Sequence, residues 1–235
     1  MSTSAIFLAL LAGIIVWILV VRRLTAKSWE RRSEVAAAGG GDVEPEDVAP
    51  GDVGKIGSAP AKVGLAVFLA VVTSLFGLFF SAYSMRMHHG HADWTHISEP
   101  NILWVNTVML VLASIALERA RSASKKGQAR DLKIAFVATG VFTLAFLGGQ
   151  LAAWQELSSS GQFVVSGPAS AFFYLLTAVH GLHVLGGLLV WGKTTGRLLG
   201  GAEIIDVRLS VDLCALYWHF LLLVWLVLFG LLLYT

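Results

Sequence analysis

Six apolar runs break the chain, at residues 4–21, 63–85, 101–118, 134–154, 170–192 and 209–234. About 20 apolar residues are needed to cross the hydrocarbon of a bilayer as a helix, so each run predicts one transmembrane helix. The polar stretches between the runs set the orientation. With the N-terminus outside, the inner loops collect Arg22, Arg23, Lys27, Arg31, Arg32, Lys55, Lys62, Arg119, Arg121, Lys125, Lys126, Arg130, Lys133, Lys193, Arg197 and Arg208. Arg86 alone falls outside. Such an excess of Lys and Arg in inner loops is what fixes the direction of membrane insertion. The pattern therefore predicts an all-α polytopic membrane bundle of six transmembrane helices with both termini outside. For a bacterial inner membrane that side is the periplasm.

Composition agrees. The chain is 56% hydrophobic and 14% charged with a mean hydropathy of +0.74, more apolar than a soluble domain of this length supports. The formal charge of +2 gives no basic patch for nucleic acid, because the cations are spread over inner loops. The single cysteine, Cys214, sits within an apolar run and reads as a small packing residue. The first run lacks a basic segment before it and a small-residue cleavage site after it, and Arg22 and Arg23 follow. It reads as an uncleaved anchor. Residues 24–61 are small, acidic and punctuated by Gly and Pro, a composition that buries no core and reads as a cytoplasmic linker. The chain thus divides into an N-terminal helix (1–23), a linker (24–61) and a five-helix unit (62–235).

Helices in lipid associate through small residues and a few polar ones. Ser74, Gly77 and Ser81 share a face of one run, and Gly140, Gly148, Gly149, Gly181, Gly186 and Gly187 read as close-packing positions on two others. Trp94, Trp104, Trp154, Trp191 and Tyr234 lie near run ends, where aromatic belts form.

Three histidines fall at membrane depth: His180 and His183, three apart and on one face, and His219 in the last run. At about 1.5 Å per residue His180 and His219 both lie near the midplane, so His219 can meet the other two. Two readings are open on residues alone. The imidazoles bind a cofactor, as axial ligands of a b-type haem or as a metal site. Otherwise they join Thr177 and Gln150 in a buried polar network. Outside the bilayer, His88, His89, His91 and His96 crowd one loop with Asp93, a ligand density that would suit Zn²⁺ or Cu²⁺ but that reads first as an ordinary soluble loop, with no metal site assigned. Glu118 and Arg119 end the third run as a lipid or subunit contact, and Arg208 and Asp212 are spaced to pair on the sixth.

The block Phe172-Phe-Tyr-Leu-Leu-Thr-Ala-Val-His-Gly-Leu-His-Val-Leu-Gly-Gly187 resembles haem–copper oxidase (cytochrome c oxidase) subunit III, as does Tyr217-Trp-His-Phe220 followed by Val224-Trp225. Asn106-Thr107 with Ser114 and Glu118-Arg119-Ala120, Phe146-Leu-Gly-Gly-Gln150 with Trp154, and the stretch from Gly64 through Phe68-Leu69-Ala70 to Arg86 agree in the same order. The resemblance covers residues 63–235. It implies a non-catalytic accessory subunit of a proton-pumping terminal oxidase in aerobic respiration, beside subunits I and II. Cytochrome c or quinol would deliver electrons to those partners. Haem and copper would belong to the partners, none to this chain. Phospholipid would be bound, and proton uptake by subunit I supported. Under that implication Trp218, Tyr217, Arg86, Glu118 and Arg119 make lipid or subunit contacts, and the histidines belong to a polar network. A b-type cytochrome and a subunit III-like component of a nitric oxide reductase system are the alternatives. The chain departs from the family pattern where acidic residues are common: Val72, Ala153 and Leu221-Leu222 stand there instead. One helix and a linker also replace the two leading helices of the long form.

Overall fold

The computed structural model describes residues 50–89, 101–164 and 167–234. The expected first helix, most of the linker, and His91, Trp94 and His96 lie outside the described residues, as do the side chains of His88, His89 and Tyr234. Five helices run through the described part: α1 (Pro50–His89), α2 (Ile102–Lys125), α3 (Ala129–Ser159), α4 (Pro168–Leu199) and α5 (Ile204–Tyr234). Each contains a stretch long and apolar enough to cross a membrane, and no strand occurs among the described residues. Helix α1 begins twelve residues before the expected end of the linker, with Pro50 in its first turn, where a missing N–H costs nothing. Its membrane-crossing part is Ala61–Met87, close to the predicted run.

Two compact units divide the chain after Val71. The first contributes, among the described residues, the leading part of α1. The second holds Val72–His89 of α1 together with α2 to α5.

Within the second unit, a short turn makes α2 and α3 antiparallel neighbours. Helix α2 stops at Gly127, whose φ of +72° places it in the left-handed region that glycine enters without steric cost. The N–H of Gln128 then reaches back to the carbonyl of Ala123 at 3.0 Å, closing the helix end. Gly161 and Gly201 end α3 and α4 by the same device, with Gln162 bonded to Leu157 and Ala202 to Arg197. Pro168 opens α4. The most extensive packing joins α2 to α3, followed by α2 to α5 and α4 to α5.

Helix α5 is the central element: 56% of its crossing segment is buried, against 22–39% for the others. Its inner faces carry Val211, Trp218, Leu221, Trp225 and Leu228, all nearly inaccessible. Trp225 meets Phe146 of α3 with ring centroids 4.9 Å apart, and Phe136 of α3, Leu110 and Leu117 of α2 and Phe173 of α4 are buried as well. The outward faces are apolar instead of polar, as with Leu182, Leu185 and Leu189 of α4. That inversion is what lipid as solvent permits and water does not.

Candidate functional site

Apolar surface gives helices no drive to associate in lipid, so the specific contacts between them carry the fold. Three of these contacts share one chemistry. Thr107, Thr143 and Thr177 each donate a hydroxyl to the carbonyl one turn earlier, at 2.9, 2.7 and 2.7 Å. The hydroxyl oxygen keeps lone pairs free, and an indole N–H from another helix fills one of them. Trp225 of α5 donates to Thr107 of α2 at 3.0 Å, Trp218 of α5 to Thr143 of α3 at 3.0 Å, and Trp154 of α3 to Thr177 of α4 at 3.1 Å. Two further bonds end on carbonyls: Trp191 of α4 on Phe136 of α3 at 2.8 Å, and Tyr217 of α5 on His183 of α4 at 2.8 Å. Every packed pair among α2 to α5 is thereby stitched, save α2 with α3. That pair is joined by Asn106, whose amide N–H₂ donates to the side-chain carbonyl of Gln150 at 3.4 Å.

Glycines make room for these bonds. A Cβ on Gly140 would overlap the indole of Trp191, and one on Gly149 would overlap the amide of Asn106. One on Gly187 would lie 2.7 Å from the Tyr217 ring and 3.1 Å from Trp218. Gly148, Gly181, Gly186 and Gly77 face open space, and Ser81 is exposed, so of the six glycines expected to pack closely on α3 and α4 only Gly140, Gly149 and Gly187 do so.

The histidines are arranged differently from the expected cluster. His180 is fully buried, its ring 5.8 Å from Phe146 and 5.3 Å from Trp225, centroid to centroid. Neither of its nitrogens has a hydrogen-bond partner among the described residues. His183 is half-buried, with Nδ1 2.7 Å from the carbonyl of Val179 and its ring against Phe76 of α1. His219 lies on an exposed face of α5, with Nδ1 against the carbonyl of Ala215 and Nε2 4.0 Å from Glu118 of α2. Among the described residues no hydrogen bond joins His219 to His180 or His183. The expectation that all three meet treated depth as sufficient. Facing direction around α5 decides it, and position 219 points away from Trp218 and Trp225, the side chains that enter the core. The rings that face His180 are Phe146 and Trp225. Thr177 serves the Trp154 contact, and Gln150 the contact with Asn106.

Near the C-terminal end of α2 and the N-terminal end of α5, Arg121 bonds Asp212 at 2.9 Å and reaches Glu118 at 3.5 Å. Asp212 therefore pairs across helices, and not with Arg208 on its own helix as the spacing suggested. Arg119 is exposed beside this group, and Arg86 lies near the C-terminal end of α1.

The family model for cytochrome c oxidase subunit III matches residues 38–235, most of the chain and all five helices. The chain belongs to that family. A cytochrome c oxidase subunit 3 of Thermostichus vulcanus is 30% identical over 72% of this chain and 85% of its own length. A probable cytochrome c oxidase subunit 3 of Mycobacterium tuberculosis is 31% identical over 72% and 84%, and a subunit 3 of Synechocystis 29% over 71% and 72%. With five crossing helices among the described residues, this subunit III homologue is a multi-pass membrane protein. The family match reaches back into the segment read as a linker, to residue 38. Val72, Ala153 and Leu221, where the resemblance leads one to expect acidic residues, are packed tight, each at most 2% exposed. Sequence reasoning missed the tryptophan–threonine contacts, although the Thr residues at 107, 143 and 177 within apolar runs were their visible half.

Proposed function

We propose that this chain is the accessory subunit III of a haem–copper terminal oxidase in the inner membrane, with N- and C-termini on the periplasmic side. It assembles beside the catalytic subunit and the electron-accepting subunit and carries out no redox chemistry. Haem and copper reside in those partners, which take electrons from cytochrome c or quinol. The match of the whole five-helix unit to the subunit III family carries this reading. The site chemistry supports it, since tryptophan, threonine and glycine at helix contacts build a rigid scaffold and supply no nucleophile–base pair. A rigid scaffold beside the catalytic chain can hold phospholipid and keep the entrance for protons in place.

The test is deletion of the gene followed by turnover assays of the remaining oxidase. Assembly of a haem-bearing complex whose activity decays faster during turnover supports the accessory role. Loss of a haem signal that purifies with this chain alone would support the b-type cytochrome.

A further inference from the structure

Two buried polar groups stand level with each other on α3 and α4. Trp191 of α4 bonds the carbonyl of Phe136 and Trp154 of α3 bonds Thr177, so the two helices run antiparallel. Four residues before Trp154 stands Gln150, and three after Thr177 stands His180, which sets the pair at one height. The ring of Phe146, one turn before Gln150 on α3, lies 5.8 Å from that of His180. Gln150 is 4% exposed and His180 is fully buried. The Nε2 of Gln150 and both ring nitrogens of His180 have no hydrogen-bond partner among the described residues. The side-chain carbonyl of Gln150 is already taken, accepting from Asn106 of α2. Buried donors and acceptors are rarely left unmade, and a donor level with an acceptor beyond direct reach points to a molecule between them.

We propose that a buried water molecule bridges Gln150 of α3 to His180 of α4, accepting from the amide N–H₂ and donating to the bare ring nitrogen. The inference stands on the packing of the bundle and is independent of the accessory role. The chemistry of the two groups selects water. The amide nitrogen of Gln150 only donates, and a neutral imidazole has one nitrogen that only accepts. The bridging species must therefore accept at one end and donate at the other. A cation accepts nothing, a simple anion donates nothing, and an acyl chain does neither. Room is at hand, because α3 packs far less extensively on α4 than on α2. Gly181, on the side of α4 that Thr177 shares, has no side chain, and a Cβ there would meet nothing within 4 Å. The bridge extends a polar line from Asn106 of α2 through Gln150 to His180, whose ring lies 5.3 Å from that of Trp225 on α5. One water thus ties α2, α3 and α4 together at a depth where most of their contacts are apolar.

The water can be seen directly. A density map of the protein purified from native membranes, with whatever chains accompany it and at a resolution where other buried waters show, should hold a peak about 2.7–3.2 Å from Gln150 Nε2 and from one ring nitrogen of His180. No peak there, an amide bonded directly to the ring, or a peak at the ~2.0–2.1 Å of a metal–imidazole bond overturns the proposal. A second readout is a double-mutant cycle of Gln150→Leu and His180→Leu on unfolding of the full chain in detergent. The two changes should couple by about threefold to fifteenfold in the unfolding equilibrium constant, the range of interhelical hydrogen bonds in membranes. Independent effects overturn it. His180→Leu alone shifts stability little, because apolar burial offsets the single bond that leaves with the water. Should either variant fail to fold, the wild-type map decides.

Discussion

Trp218 donates its indole N–H to the hydroxyl of Thr143 at 3.0 Å, in a place where both residues are at most 1% exposed. The bond crosses from α5 to α3, and Thr143 simultaneously donates to the carbonyl of Thr139 at 2.7 Å. One hydroxyl thus satisfies its own proton within its helix and an indole from another. Repeated at Thr107 and Thr177, this arrangement places directional bonds exactly where apolar packing cannot discriminate one helix register from another.

Replacing Thr143 with Val keeps the shape and removes the acceptor. The bundle should lose about 1 kcal/mol, within the ~0.6–1.7 kcal/mol range of interhelical bonds in membranes. Trp218→Phe should cost more, because ring volume goes with the N–H. A double-mutant cycle on thermal unfolding in detergent checks the pair; additive losses would show that no bond couples them.

Gly140→Ala and Gly148→Ala lie two turns apart on α3 and should behave oppositely. The first drives a methyl into the Trp191 indole and should destabilise by about 1–3 kcal/mol. The second enters open space and should be neutral or stabilise by up to ~1 kcal/mol through helix propensity. Melting temperatures of the two variants decide.

His180→Leu replaces a buried imidazole lacking bonded partners with an apolar side chain of similar size. Removing an unsatisfied polar group is close to neutral or favourable, so stability should change by less than about 1.5 kcal/mol. A loss well beyond that in a denaturation assay would mean that the ring holds a bonded partner.

Charge pairing on α5 is checked by coupling energies with Asp212. Arg121→Gln and Asp212→Asn should couple by about 0.2–1 kcal/mol, modest because both side chains are partly exposed. Arg208→Gln should show no coupling with Asp212. The reverse pattern in thermal melts would restore the pairing within α5.

Most of the fold was legible along the chain, because hydrocarbon thickness writes itself into run length: the runs at 134–154, 170–192 and 209–234 fall inside α3 to α5, and the run at 101–118 starts at the N-cap of α2. The first run lies outside the described residues. The contacts were less legible, for two reasons of geometry. Sequence spacing shows which residues share a helix face, yet not which face meets which neighbour, so Asp212 was matched to Arg208 instead of Arg121. Depth likewise placed His219 level with His180 while its direction on α5 turned it toward Glu118. Trp154 and Trp191 read as belt residues by position, and their N–H groups instead bond across helices. Thr143 and Thr177 reveal their role only once a tryptophan from another helix is placed against them.

The most direct test is to purify the native complex by an affinity tag on this chain, identify its companions and record a reduced-minus-oxidised spectrum before and after stripping the companions away. The account predicts a haem-bearing catalytic chain in the complex and a colourless subunit once this chain is alone. A haem spectrum that stays with the isolated chain, or a chain purified without any oxidase partner, would contradict it.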